Sequence, residues 1–155
     1  MEIRVAIAED AADACEVVRR SIIELCDADH RNDDAILSQW LANKTAENVG
    51  RWIARPDQTM LVAVEQGRIQ GVGLVTDEGE INLVYVSPAA RFRGVSKLLL
   101  AALEDAARRH GNDHCRLVSS GTARQFYLGC GYQTAGAPDQ KHGHAVFPMI
   151  KALGD

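Results

Sequence analysis

No stretch of this chain approaches the roughly 20 consecutive apolar residues that a membrane-spanning helix needs. The N-terminus, MEIRVAIAED, sets acids where a secretory leader would carry a basic and then an apolar segment. The expectation is a protein without a membrane partner and, by default, a cytoplasmic address. No two of the four cysteines, Cys15, Cys26, Cys115 and Cys130, form a CxxC pair, so the common signs of a zinc site or a dithiol redox motif are missing. Reduced, partly buried thiols are expected instead. Repeats, linkers and low-complexity tracts are also absent, and the 155 residues read as one domain, 1–155, long enough for a proper core. An excess of positive charge is lacking too: the net charge of −4 argues against nucleic acid as a partner.

What is present is ordinary in amount, 46% apolar and 25% charged, as in soluble globular proteins. Its distribution is uneven. From Arg91 to Lys97 there are three cations and no anion, whereas from Glu24 to Asp34 there are five acids and one arginine.

Ile3, Val5 and Ile7 alternate with less apolar neighbours, as in a strand. Ala11, Cys15, Val18, Ile22 and Leu25 then mark one face of a helix ending near Cys26. DADHRNDD reads as a polar loop. Asp33 or Asp34 can cap a short helix through Leu41, and Thr45 another that stops at Arg55-Pro56. Segments 60–66 and 69–76 read as a hairpin turning at Gly67-Arg68. Gly71 and Gly73 inside its second strand imply a bulge or a close approach to the backbone. Segment 80–87 is a further strand, ended by Pro88. After it come an amphipathic helix closed by Gly111, a strand at 114–119, a short helix at 122–128, and a last pair of strands at 132–137 and 145–151 joined by PDQKHGH. This is a mixed α/β sheet of about seven strands with about four to five helices. Strand, helix, strand in one sheet makes 80–87 and 114–119 a parallel pair with a right-handed crossover, and a ligand crevice is expected between them.

The stretch from Glu80 to His110 carries the chemistry. A helix that opens after a short basic loop with one glycine offers unpaired N–H groups and the positive end of its dipole, which suits phosphate. The N–H groups of Phe92 to Lys97, including Val95 and Ser96, can converge on a pyrophosphate; Gly94 lets it approach, and Arg91, Arg93 and Lys97 add charge.

The sequence here resembles the GNAT superfamily of acetyl-coenzyme A-dependent N-acyltransferases. Its cofactor motif, Gln/Arg-x-x-Gly-x-Gly/Ala, corresponds to Arg91-Phe92-Arg93-Gly94-Val95-Ser96, with Ser96 in place of Gly or Ala. A second family pattern matches Ala123-x-x-Phe126-Tyr127-x-x-x-Gly131-Tyr132, with Ser120 where Asn is frequent. The resemblance implies a central parallel pair that splays apart, freeing the backbone of Val84, Tyr85 and Val86 for the pantetheine arm, with the N–H at Val84 facing the thioester carbonyl.

It further implies transfer of an acetyl or related acyl group from acetyl-coenzyme A to a primary amine, by direct attack and without a metal. Tyr127 is then the acid for the departing thiolate. Glu80 is a base, as in some members, or simply a solvated carboxylate at a strand start. A small-molecule amine is favoured over a protein acceptor. The acidic loop of Asp27, Asp29, His30, Asp33 and Asp34 could draw a cationic one. His142 and His144 flank Gly143 without further metal ligands in view. A homodimer is left open. The alternative function is an acyl-coenzyme A-binding regulatory domain without turnover.

Overall fold

The computed structural model describes residues 1–141 and 143–154. The chain runs β1 (Glu2–Val5), α1 (Ala11–Leu25), α2 (Asp27–His30), α3 (Asp34–Leu41), α4 (Ala46–Ala54), β2 (Gln58–Glu65), β3 (Arg68–Thr76), β4 (Glu80–Val86), α5 (Val95–Arg109), β5 (His114–Ser120), α6 (Arg124–Gly129), β6 (Gln133–Thr134), β7 (Asp139–Lys141) and β8 (His144–Ala152). The eight strands form one sheet in the order β1-β2-β3-β4-β5-β8-β6, with β7 also on β8. Every pairing is antiparallel except β4 with β5. None of the described helices is long and apolar enough to cross a membrane.

Each face of the sheet has its own core, because successive side chains of a strand point to opposite faces. Leu61 and Ala63 of β2 join Leu99, Leu103 and Ala107 of α5 on one face. Met60 and Val62 join Val18 and Ile22 of α1, with Trp40 and Val49, on the other. The glycines of β3 explain how closely α5 lies. A Cβ on Gly71 would stand 2.6 Å from Leu99 Cδ1, and one on Gly73 would stand 2.8 Å from Leu103 Cδ1. Both leucines are fully buried, so any larger residue would push the helix off the sheet.

Three sequence expectations change. The stretch DADHRNDD is not simply a loop. Asp27–His30 form one helical turn, followed by Arg31 and Asn32 in the left-handed region. His30 is wholly buried there, and its Nε2 lies 3.0 Å from the Ile22 carbonyl. The hairpin turns one residue earlier than expected, at Gln66-Gly67, both with positive φ. The C-terminal pair is three strands: β6 shrinks to two residues, and β7 rises from the connection to pair with the start of β8. Composition hides β7, because Asp139, Gln140 and Lys141 are all exposed and show no apolar alternation.

Candidate active site

The central parallel pair is joined only at its beginning. Glu80 stands beside Arg116 and Ile81 beside Leu117, after which β4 and β5 have no further register. The cause lies in β4. Leu83 pairs with Leu74 and Ile81 with Val75 of β3, leaving Asn82 as an extra residue. Such a bulge bends its strand and increases the local twist, which turns the second half of β4 away from β5. The bulge also shifts which side chains face which core: Ile81, Val84 and Val86 lie toward α5, but Leu83 and Tyr85 lie toward α1.

The direction of the freed backbone groups follows from the ladder. Ser87 N–H donates to Gln70 O at 2.8 Å on β3. Alternation then turns Tyr85 N–H toward β3 as well, and those of Val84 and Val86 toward the gap. Tyr85 therefore departs from the expectation of a backbone contact in the gap. Its ring instead sits on the α1 face, where Trp40 Nε1 donates to its hydroxyl at 3.4 Å.

The N-terminus of α5 opens beside this gap. Gly94 is the N-cap residue with φ 78°, and no side chain caps the helix. Phe92 also has positive φ, at 65°, and its ring is 90% exposed with the Arg91 guanidinium 4.5 Å from its centre. A non-glycine residue held in this region stores of order 1–3 kcal/mol of strain. The left-handed residues turn successive N–H groups inward, as in an anion-binding nest. The three expected cations do not act together. Arg91 and Lys97 line the cavity, but Arg93 turns away to grip Glu65 with two contacts of 2.6 Å.

Gap and helix end belong to one cavity of about 510 Å³ that passes between the splayed strands. On the α5 side it is lined by Val84, Val86, Arg91, Phe92, Gly94, Val95, Ser96, Lys97, Phe126 and Tyr127. Tyr127 is 7% exposed, with its ring edge-on to Phe126 and Tyr132. Its hydroxyl bonds to none of the described residues. Burial pushes that phenol well above its ordinary pKa, so it stays protonated and able to donate.

Glu80 is not brought to the cavity. It is exposed in the paired part of β4, on the far side of the bulge, and does not line the space. The expected base position is thus not supported by geometry. Two of the acids expected at a rim are engaged elsewhere: Asp33 caps α3 through Ala35 N and Ile36 N, and Asp29 bonds Thr122 N and Oγ1.

On the α1 side the wall consists of Ser21, Cys26, Trp40, Lys44, Tyr85, Lys141 and His144 among others. Trp40 and His144 stack at 4.1 Å between ring centres. Burial lowers the pKa of His144, which keeps it neutral at pH 7. Burial, and after it the nearness of Lys141, lowers Lys44 to about 8. Sequence reasoning missed Trp40, Lys44 and Lys141: Lys141 lies far along the chain from the other two, and no motif links them. His144 it weighed only for metal. His142 lies outside the described residues, and among those described no cluster of three or more His, Cys, Asp or Glu is placed to hold a metal.

An α/β sheet that splits at its parallel pair, with an uncapped helix N-terminus beside the split, is the frame of an acyl-coenzyme A-dependent transferase. The comparisons agree. The family profile described as "Acetyltransferase (GNAT) domain" matches residues 26–153, and the chain belongs to that family. It is accordingly an N-acetyltransferase with acetyl-coenzyme A as its co-substrate. A sequence search of curated proteins returned no match.

Among solved structures, a GCN5-related N-acetyltransferase from Rhodopseudomonas palustris superimposes with a TM-score of 0.86 at 24% identity, covering 97% of this chain and 94% of that one. The PaiA N-acetyltransferase of Thermoplasma acidophilum, solved with coenzyme A, gives 0.84 at 22% identity, with 97% and 98% covered. The yncA protein of Salmonella typhimurium, solved with acetyl-coenzyme A, gives 0.75 at 22%, with 100% and 95% covered. At such identities the likeness concerns the fold.

Proposed function

We propose that the protein transfers the acetyl group of acetyl-coenzyme A to the primary amine of a small molecule, by direct attack across the split in the sheet. The observation that carries this reading is the single cavity joining the α5 N-terminus, the free edge of β4 and the Tyr127 hydroxyl. The residues present suit the donor. N–H groups at the start of α5, with Arg91, Lys97 and the Ser96 side chain, would take the pyrophosphate. The free edge of β4 would pair with the amides of the pantetheine arm, as an added strand does.

The chemistry then needs three things from this chain. The Val84 N–H would stabilise negative charge on the thioester oxygen as the amine nitrogen bonds to the carbonyl carbon, an effect worth on the order of 3 kcal/mol per donor. Tyr127 would hydrogen-bond the sulfur as the C–S bond breaks, and the thiolate leaves with a proton. The amine must shed its own proton, and no carboxylate lines the cavity among the described residues. Water, or the neutral His144 imidazole, takes that role.

The test is release of free thiol from acetyl-coenzyme A across a panel of small amines, beside the thermal shift given by coenzyme A. Release above the blank, saturating in one amine, is the expected result. A thermal shift with no release from any amine would favour a binding domain without turnover. No shift with any coenzyme A derivative would remove the donor site itself.

A further inference from the structure

The two ends of the cavity differ in what they still require. At the α5 end, Arg91 and Lys97 face the place proposed for a pyrophosphate. At the α1 end, across the sheet, two further lysines line the wall, Lys44 and Lys141. We propose that they bind a second anion, and that the amine acetylated here also carries an oxyanion, a carboxylate or a phosphate. This inference rests on the acyl-transfer reading above.

Lys44 is 6% exposed. Its position is fixed, because its carbonyl accepts from Arg19 Nη1 at 2.9 Å and from Cys15 Sγ at 3.3 Å, both on α1. Its Nζ donates to Asn43 Oδ1 at 2.7 Å, which is a neutral acceptor. Lys141 reaches the same wall from β7, on the opposite side of the chain's sequence. Neither lysine forms an ion pair with a described carboxylate. Asp29 does not line the cavity and spends both its oxygens on Thr122.

A buried cation without a counterion is costly, and a second cation beside it adds repulsion. The depressed proton affinity of Lys44, caused by burial and by Lys141, is the physical sign of that cost. An acceptor with only positive groups would raise it. One that brings a carboxylate or phosphate supplies the counterion, through charge-assisted hydrogen bonds. Trp40 and His144, stacked on each other, line the same wall and give it an aromatic, apolar part beside the two lysines. Under this proposal the acceptor carries an anion beside its amine, in place of the purely cationic acceptor that an acidic rim would draw.

Matched pairs of amines test this, with thiol release from acetyl-coenzyme A as readout: tyramine against tyrosine, 1,5-diaminopentane against lysine, ethanolamine against O-phosphoethanolamine. The acidic member of a pair should exceed its partner in kcat/KM by about tenfold or more. Whether the carboxylate or the phosphate pair responds identifies the anion. Lys44→Gln and Lys141→Gln should each raise KM for the acidic acceptor by about five- to tenfold and leave KM for acetyl-coenzyme A in place. Lys141 is exposed, so its variant keeps the test valid if the Lys44 variant fails to fold. Equal or faster turnover of the members that lack the anion would overturn the proposal while leaving acyl transfer standing. So would equal KM changes for both members of a pair. Absence of release from every amine, with the coenzyme A thermal shift intact, would overturn both.

Discussion

Asp29 and Thr122 are 93 positions apart, yet the Asp29 carboxylate accepts from Thr122 N at 3.1 and 3.2 Å and from its hydroxyl. The contact ties the single turn of α2 to the loop between β5 and α6, and so closes the α1-side wall of the cavity against the side that carries Tyr127. It also engages Asp29, one of the acids expected at a rim, away from the cavity.

Removing that tie should loosen the proposed acceptor side in particular. Asp29→Ala loses hydrogen bonds to a charged acceptor, worth about 1–2 kcal/mol after allowance for partial exposure. KM for the amine should rise more than KM for acetyl-coenzyme A. Urea denaturation and steady-state kinetics together check this; an equal rise in both constants would mean general loosening.

Tyr127→Phe keeps the ring among Phe126 and Tyr132 and removes only the hydroxyl. Turnover should fall by roughly 10²–10⁴ if the phenol serves the departing sulfur, with coenzyme A affinity little changed. Because burial raises the phenol's pKa, no loss of activity from its ionisation should be seen up to pH 10. Glu80→Gln should leave the pH–rate profile unshifted, since that side chain lies outside the cavity. A twofold or smaller effect of the Tyr127 change, with the fold intact, would dismiss the role.

The cations of the helix-start loop should separate by function. Arg91→Gln and Lys97→Gln should each weaken coenzyme A binding by about three- to tenfold and reduce its salt dependence. Arg93→Gln should change affinity far less, because that guanidinium is engaged by Glu65. Titration of coenzyme A at two ionic strengths distinguishes the three.

Lys44 makes a prediction about stability and pH. Its folded pKa, about 8, lies below the ordinary lysine value near 10.4. Between these values the unfolded chain binds more protons than the native one, so native stability from this group rises as pH increases from about 8 to about 10.5. At pH 7 the full cost of burying the charge is present. Lys44→Met should therefore be more stable than the wild type at pH 7, and the difference should shrink by pH 10. Denaturant midpoints for both proteins at the two pH values decide it. A constant difference would show that the ammonium is already solvated or paired.

Much of this was legible in the chain itself. Local spacing carried the helices α1 and α5, the hairpin with its glycines, the strand end at Pro88 and the helix start after Gly94, because each depends on neighbours within a few residues. The Arg91–Ser96 and Ala123–Tyr132 motifs then pointed to the family. Other features depend on residues that meet only after folding. The bulge at Asn82 needs the register between β3 and β4, and it alone decides that Val84 faces the gap while Tyr85 does not. The engagement of Arg93 by Glu65, the exclusion of Glu80, and the meeting of Trp40, Lys44, Lys141 and His144 on one wall arise the same way. Periodicity records which way a side chain leans along its own element. It holds no record of which distant side chain will stand opposite, and the charge balance of the α1-side wall is set by that.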